Sequence, residues 1–197
     1  MAKPPAELCF ASVASCFAGG LAMSAAIDIA KYIDLNNLDS HINHEKYHMR
    51  SQTQAWDYVS QFFNIFKSVP YHQKSLFDFT TFLVVTEFSR TPFLNLLKGK
   101  DHNPYTNSIL FAGKGVNGNQ TIGKSIVWSK RQTSKENSIH TGLPINFKTG
   151  EVIQALTPDC NMIAPENVAR TLLEIFKSTQ IPDVLRKFQP VPNVQKT

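Results

Sequence analysis

The sequence has few of the features that mark unstructured, fibrous or membrane-spanning chains. Charged residues make up 18% and hydrophobic residues 42% of its 197 positions, and eleven prolines and nine glycines are spread along it. These values exclude a disordered charged tail, a collagen-like repeat and a polytopic membrane protein. The 14 Phe, 5 Tyr and 2 Trp that are present can fill a sizeable core, so we expect residues 1–197 to form one globular domain.

Cysteine is also scarce. The chain has three, Cys9, Cys16 and Cys160, and no two of them form a C-x-x-C pair. An odd number without that spacing argues against a disulfide framework and against a zinc ribbon. Free thiols in apolar surroundings suit a reducing compartment, and we therefore predict a cytoplasmic protein.

Positive charge is in excess but dispersed. The formal net charge is +5, yet no block of Lys and Arg interleaved with aromatic residues occurs, as it does in many nucleic-acid binders. We therefore expect no nucleic-acid partner. The net charge favours an anionic small-molecule substrate through long-range steering.

Residues 1–26 admit two interpretations. An apolar stretch from Leu8 to Ala26 follows Lys3 and contains small residues near its end, as in a secretory signal peptide of an exported protein. Against this, Pro4 and Pro5 precede the stretch, which suits the start of a buried helix. We favour the buried helix, and export stays open as the alternative. Neither interpretation predicts a membrane span.

Hydrophobic periodicity predicts alternating helices and strands. Alternating apolar residues indicate a strand over 27–35, and Trp56, Val59, Phe63 and Phe66 recur at helical spacing. The other predicted elements are helices over 6–25 and 44–69, strands over 79–86 and 108–112, an irregular segment over 124–160, and a helix that begins near Pro165. This order is typical of an α/β sheet with flanking helices.

Polar residues follow the predicted strands, where open α/β sheets bind their ligands. In chain order they are Asp39, His41, Glu87, Arg90, Asp101 and His102. Carboxylate oxygens and imidazole nitrogens are the ligands of zinc, manganese and other divalent cations. The pattern therefore predicts a metal site at one edge of the sheet.

Each of these short motifs also has a plainer interpretation. Asp39 suits the N-cap of the following helix, since Asp is favoured there. Glu87 and Arg90 suit a mutual ion pair that holds a loop. Asp101 and His102 suit a turn without a ligand. The metal interpretation depends on the motifs coming together in space.

Three histidines offer another arrangement. His41, His44 and His48 are spaced by three and four residues, which places them on one face of a helix, where two or three of them can bind a metal. Because His41 is predicted to precede the helix, we favour His41 as a single ligand with two neighbours on the surface.

A glycine-rich segment matches the dinucleotide-binding motif G-x-G-x-x-G at Gly113, Gly115 and Gly118. That motif requires a helix N-terminus to hold the pyrophosphate. Residues 119–123 contain glycine and β-branched residues instead of a helix start. We therefore predict a tight turn and no dinucleotide.

Four segments agree in order and spacing with motifs of a known family. They are residues 38–41 (LDSH), 86–92 (TEFSRTP), 99–102 (GKDH) and 109–118 (ILFAGKGVNG). Over about half of its length the chain thus resembles a sulfatase-like bacterial family of unknown function in the alkaline phosphatase superfamily. Leu38, Ser89 and Lys114 depart from that family, which has Trp, Gly and Gly there.

The resemblance implies a partial alkaline-phosphatase-like sheet and a zinc or manganese site. It implies ligand roles for Asp39, His41, Glu87 and His102, a ligand or orienting role for Asp101, and an anion-binding catalytic role for Arg90. Members of the family are longer, so this chain would be the carboxyl-terminal half. A partner chain would then supply the missing amino-terminal half.

The function implied is a truncated or split metal-dependent hydrolase of phosphate or sulfate esters with an incomplete active site. The alternative is a non-enzymatic metal-binding or protein-interaction module, which is a catalytically inert remnant of such an enzyme.

Overall fold

A computed structural model describes residues 5–33, 38–129, 138–154 and 160–196. The helices described are α1 (Ala6–Ala18), α2 (His44–Ser68), α3 (Pro165–Ile175) and α4 (Asp183–Arg186). The strands described are β1 (Pro70–Tyr71), β2 (Lys74–Ser75), β3 (Thr81–Val84), β4 (Ser89–Arg90), β5 (His102–Asn103), β6 (Leu110–Gly113), β7 (Ser125–Ser129), β8 (Ser138–Gly142), β9 (Ile145–Asn146) and β10 (Cys160–Asn161). The mixed α/β class is confirmed.

The described strands pair antiparallel and in twos: β1 with β2, β3 with β6, β4 with β5, β7 with β8, and β9 with β10. In the β3–β6 pair, Val84 at the end of β3 lies opposite Leu110 at the start of β6. Antiparallel strands end on opposite sides of their pair. The expectation that strand carboxyl ends meet at one edge is therefore wrong for these strands.

The chain divides into two compact units. The first contains Met1–Thr80 and Phe93–Asp101, and the second contains Thr81–Pro92 and His102–Thr197. The division falls between Asp101 and His102, so it separates the predicted site residues into two groups.

The core of the first unit lies between α1 and α2. Phe10 and Ala14 of α1 are buried, as are Val59 and Phe66 of α2. The ring centroids of Phe10 and Phe62 are 5.1 Å apart, a spacing at which aromatic rings add to the burial energy. These contacts hold α2, and with it the loop in front of α2, against α1.

Helix α2 has the predicted extent within one residue, but its buried face is shifted. Val59 and Phe66 are buried as expected, whereas the side chain of Trp56 is 51% exposed. Phe62 packs on Phe66 with a centroid distance of 4.7 Å. The packed stripe therefore includes Phe62, and Trp56 is left largely exposed.

The strand predicted over residues 27–35 is wrong. A 3-10 helix covers Ile29–Tyr32, and the Asp28 carboxylate accepts a hydrogen bond from the Ala30 amide at 3.1 Å. This local side-chain bond competes with an extended backbone, as Asp commonly does. Residues 34–37, which include Leu35 and the predicted Asn36–Asn37 turn, lie outside the described residues.

The second unit packs α3 against the carboxyl-terminal segment. Ile175, Val191 and Val194 form a buried cluster. The Thr171 hydroxyl donates to the Asn167 carbonyl at 2.7 Å and accepts from the Val191 amide at 2.8 Å. Helix α3 begins at Pro165, as predicted, because proline is well suited to a first helical position.

In its described residues, the segment predicted to be irregular over 124–160 contains three strands and the first residue of a fourth. The β7–β8 pair joins residues 125–129 to residues 138–142, while residues 130–137 and 155–159 lie outside the described parts of the chain. The glycine-rich turn is confirmed, since the Val116 amide donates to the carbonyl of Gly113 at 3.3 Å and the described residues 119–129 contain no helix. In the described ranges, no helix has both the length and the hydropathy that a bilayer crossing needs.

Candidate metal centre

Asp39 and His41 contact each other in the loop before α2. One oxygen of the Asp39 carboxylate accepts from the His41 backbone amide at 3.1 Å, and the same oxygen contacts the His41 ring at Nδ1. The N-cap of α2 is Asn43, with φ 48° and ψ 52°. Asp39 is therefore not the cap of this helix, and its carboxylate holds the imidazole instead.

The backbone of this loop pairs with residues 97–100 in the same unit. The Lys100 amide donates to the Ser40 carbonyl at 2.7 Å, and the His44 amide donates to the Lys98 carbonyl at 2.8 Å. A further bond of 3.1 Å runs from the Asn43 amide to the Leu97 carbonyl. These bonds fix the position of the Asp39–His41 segment relative to the loop that ends at Asp101.

Asn95 connects Asp101 to this segment. Its side-chain nitrogen donates to the His41 carbonyl at 3.1 Å and to an Asp101 carboxylate oxygen at 2.9 Å. Its side-chain oxygen accepts from the amides of Leu97 at 3.0 Å and Gly99 at 2.9 Å. Two donors face the oxygen and two acceptors face the nitrogen, so this network determines the orientation of the amide.

The remaining predicted site residues belong to the second unit. Arg90 of β4 lies opposite His102 of β5 in the strand register. The His102 ring stacks on Phe88 with a centroid distance of 3.8 Å, and the Arg90 guanidinium carbon lies 5.2 Å from the centroid of the same Phe88 ring. Glu87 is exposed beside them.

A buried polar cluster supports this strand pair from its other face. The side-chain nitrogen of Asn103 lies 2.9 Å from the Ser89 hydroxyl, 2.9 Å from the Thr106 hydroxyl and 3.0 Å from the His140 carbonyl. Successive residues of a strand point to opposite faces. Packing of Ser89 and Asn103 therefore turns Arg90 and His102 toward the other side.

The predicted residues thus form two local groups. Asp39, His41 and Asp101 are joined in the first unit, and Arg90 and His102 share the Phe88 ring in the second. In neither unit do the described residues include three His, Cys, Asp or Glu side chains placed as a metal-binding group.

The donor chemistry of the first group fits a divalent cation. A carboxylate on Nδ1 of a histidine selects the tautomer in which Nε2 is the ligand atom, as in many metal sites. Imidazole and carboxylate ligands suit zinc and, with more oxygen ligands, manganese. In this arrangement His41 and Asp101 would be ligands, and Asp39 would orient His41.

Sequence reasoning missed the two asparagines that organise these groups. The signal for Asn95 is that an Asn side chain in a loop commonly accepts from the backbone amide two residues later, as Asn95 does from Leu97. His44 and His48, taken as surface neighbours of His41, are half-buried and stack on each other.

The fold and the local geometry define a mixed α/β protein with an imidazole and two carboxylates connected in one loop region. The chain belongs to a family described as "Protein of unknown function (DUF1501)", whose model matches residues 29–141, more than half of the chain. No curated protein and no solved structure matches it.

The resemblance to the sulfatase-like family of the alkaline phosphatase superfamily is wrong. The matching family is DUF1501, and no sulfatase or alkaline phosphatase family was found. The short motifs lie within the residues matched by the DUF1501 model, so they belong to that family. The expectation of a domain of unknown function is confirmed.

Proposed function

We propose that this chain binds a divalent cation through His41 and Asp101, with Asp39 as the residue that orients the His41 ring. The observation that carries the proposal is the position of the Asn95 amide, which donates to both the His41 carbonyl and the Asp101 carboxylate. One side chain thereby links an acidic residue to the backbone of a histidine whose ring contacts the Asp39 carboxylate.

The cation proposed is zinc or manganese. Two protein ligands leave coordination positions for water, for substrate, or for side chains from a partner chain, as in sites that act on a substrate. Asp101 and Asp39 are exposed, so both carboxylates are accessible to a cation from solvent.

The narrower proposal is a metal-dependent hydrolase of phosphate or sulfate esters. A cation with open positions polarises an ester oxygen and promotes ionisation of a bound water. The net charge of +5 supports an anionic substrate. This proposal rests on donor chemistry and charge, without any kinship to sulfatases.

Metal binding is tested first. After treatment with a chelator, the full chain is titrated with Zn²⁺ and with Mn²⁺ by isothermal calorimetry. We expect His41→Gln and Asp101→Asn each to weaken binding about tenfold or more. The matched controls are His72→Asn and Asp57→Asn, which change exposed residues elsewhere in the chain. Equal affinity of the site variants and the controls would exclude this centre.

Hydrolysis is tested separately with p-nitrophenyl phosphate and p-nitrophenyl sulfate. Metal-dependent release of p-nitrophenol that is lost in Asp101→Asn supports the hydrolase. If the chain binds the metal but hydrolyses neither ester, the metal-binding proposal stands and the hydrolase proposal is rejected.

A second candidate function is a protein-interaction module without catalysis. Four exposed apolar residues, Phe93, Leu94, Leu96 and Leu97, flank the half-buried Asn95, and Leu96 and Leu97 are 92% and 60% exposed. Contiguous exposed apolar surface often marks an interaction site. Sedimentation of the full chain and of Leu96→Ser over a range of concentrations tests it, since concentration-dependent association that the substitution abolishes would support a second copy as the partner.

A further inference from the structure

His44 and His48 form a side-chain pair at the start of α2. They are four residues apart on the helix, which places them on one face. Their ring centroids are 4.3 Å apart and the ring planes are inclined by 22°. Both side chains are half-buried, whereas Glu45 between them is exposed. The local sequence, HEKYH, thus has the H-E-x-x-H spacing.

We propose that the imidazoles of His44 and His48 form a binding site for a transition-metal ion that prefers nitrogen ligands, namely Zn²⁺, Ni²⁺ or Cu²⁺. Two histidines at this helical spacing supply the paired nitrogen ligands of known zinc sites. The site shares no residue with the centre formed by His41 and Asp101, and it is independent of the proposed function.

A shared metal requires a modest change in the ring arrangement. With metal–nitrogen bonds of roughly 2.0 to 2.1 Å, two imidazole centroids on a tetrahedral zinc lie about 5 Å apart. The rings, whose centroids are 4.3 Å apart, must therefore tilt out of their stacked arrangement. The terminal torsion of histidine is broad, so this tilt has a small energetic cost.

The backbone holds the first of the two histidines in place before any metal arrives. The His44 amide donates to the Lys98 carbonyl at 2.8 Å, and the preceding Asn43 amide donates to the Leu97 carbonyl at 3.1 Å. A ligand pair on a fixed helix start loses little conformational entropy on binding.

The main electrostatic effect against the site is the helix itself, because the N-terminus of a helix disfavours cations. Glu45 lies in the same first turn and places a negative charge there. Since the described residues do not add a third ligand to the pair, the inference is a two-histidine binding site and not a zinc peptidase centre.

The test is a titration of the full, chelator-treated chain with Cu²⁺ and with Zn²⁺, followed by calorimetry and by electron paramagnetic resonance of the copper form. We expect nitrogen hyperfine structure from two imidazoles. His44→Gln and His48→Gln should each weaken Cu²⁺ binding about tenfold or more, and His72→Asn, at an exposed position elsewhere in the chain, should leave it unchanged.

A matched control keeps the number of histidines and removes only their alignment. The double variant His48→Gln with Met49→His moves the second imidazole to an exposed position five residues from His44, which is off the shared face. We expect it to bind no better than His48→Gln. Full affinity in that double variant, or an equal loss of Cu²⁺ affinity in His72→Asn, would overturn the proposal.

Discussion

The α-carbon of Gly99 lies directly against the backbone carbonyl of His41. A Cβ atom built on Gly99 would lie 1.7 Å from the His41 carbonyl oxygen and 2.5 Å from the Ile42 amide nitrogen. Gly99 is buried, and the adjacent Lys100 amide donates to the Ser40 carbonyl at 2.7 Å. Only glycine permits this approach, so residue 99 determines how closely the two loops of the candidate centre pair.

Gly99→Ala is therefore expected to separate these loops. The methyl group collides with backbone atoms that cannot rotate away, and we expect the free energy of unfolding to fall by about 3 kcal/mol. Urea denaturation followed by circular dichroism measures the change. Gly118→Ala is the control, since no atom lies within 4 Å of a Cβ at that position; similar losses in both variants would contradict the prediction.

Asn95→Asp tests the bridge between His41 and Asp101. One oxygen of the new carboxylate still accepts from the Leu97 and Gly99 amides. The other oxygen replaces the donor nitrogen and faces two acceptors, the His41 carbonyl and the Asp101 carboxylate. We expect a loss of about 1–2 kcal/mol in unfolding free energy at neutral pH in the presence of a chelator. Repulsion between two carboxylates disappears when one of them is protonated, so the loss should shrink in acid. A loss independent of pH would show that Asn95 does not contact Asp101.

Thr171→Val removes the hydroxyl that holds the carboxyl-terminal segment on α3. Valine has nearly the same shape, but the buried Val191 amide loses its acceptor at 2.8 Å. We expect the free energy of unfolding to fall by about 1–3 kcal/mol. Thr53→Val is a matched control, because Thr53 also donates to a carbonyl four residues earlier, on an exposed part of α2. An equal effect of the two substitutions would exclude the role of Thr171 as a clamp.

Asp78 gives a pH-dependent prediction. The hydroxyl and the amide of Ser75 donate to its carboxylate at 2.6 Å and 3.0 Å, and these bonds lower the pKa of Asp78 below its ordinary value of 3.8. A carboxyl group with a lower pKa in the folded state stabilises the fold above the unfolded-state pKa. This contribution is lost as the pH falls through the folded-state pKa.

The measurement compares the wild type with Asp78→Asn by thermal unfolding from neutral pH down to strongly acidic pH. We expect the variant to be less stable at neutral pH and the difference to disappear in acid. Asp57→Asn provides the background for loss of one exposed carboxylate. A constant difference across the pH range would contradict a role for the ionised Asp78 side chain.

Helices were the part of the fold most accessible to sequence reasoning. The extent of α2, which ends just before Pro70, and the start of α3 at Pro165 agree with the structure. Helix α1 begins at Ala6 as predicted but ends at Ala18, seven residues before the predicted end. The strand predicted around Ile29 failed because a few alternating apolar residues also fit a 3-10 turn when a neighbouring Asp caps it. Which strands pair could not be predicted from the sequence, since a pair such as β3 with β6 joins residues that are distant in sequence.

The sequence predicted which residue types form the candidate centre, but it did not predict how they are arranged. Asp39 and His41 are two residues apart, so their contact follows from local geometry. The connection to Asp101 depends on Asn95 and Gly99, whose roles arise only when two loops meet. The family resemblance inferred from short motifs was wrong, because a few shared residues specify neither a family nor a mechanism.

The polar cluster around the buried Asn103 has more hydrogen-bond acceptors than the Asn103 amide nitrogen has hydrogens. The amide nitrogen carries two hydrogens but has three neighbours, of which the His140 carbonyl can only accept. The second hydrogen is left for either Ser89 or Thr106, whose hydroxyl oxygens are 2.8 Å apart. Two hydrogen-bond patterns are thus compatible with the same heavy-atom positions.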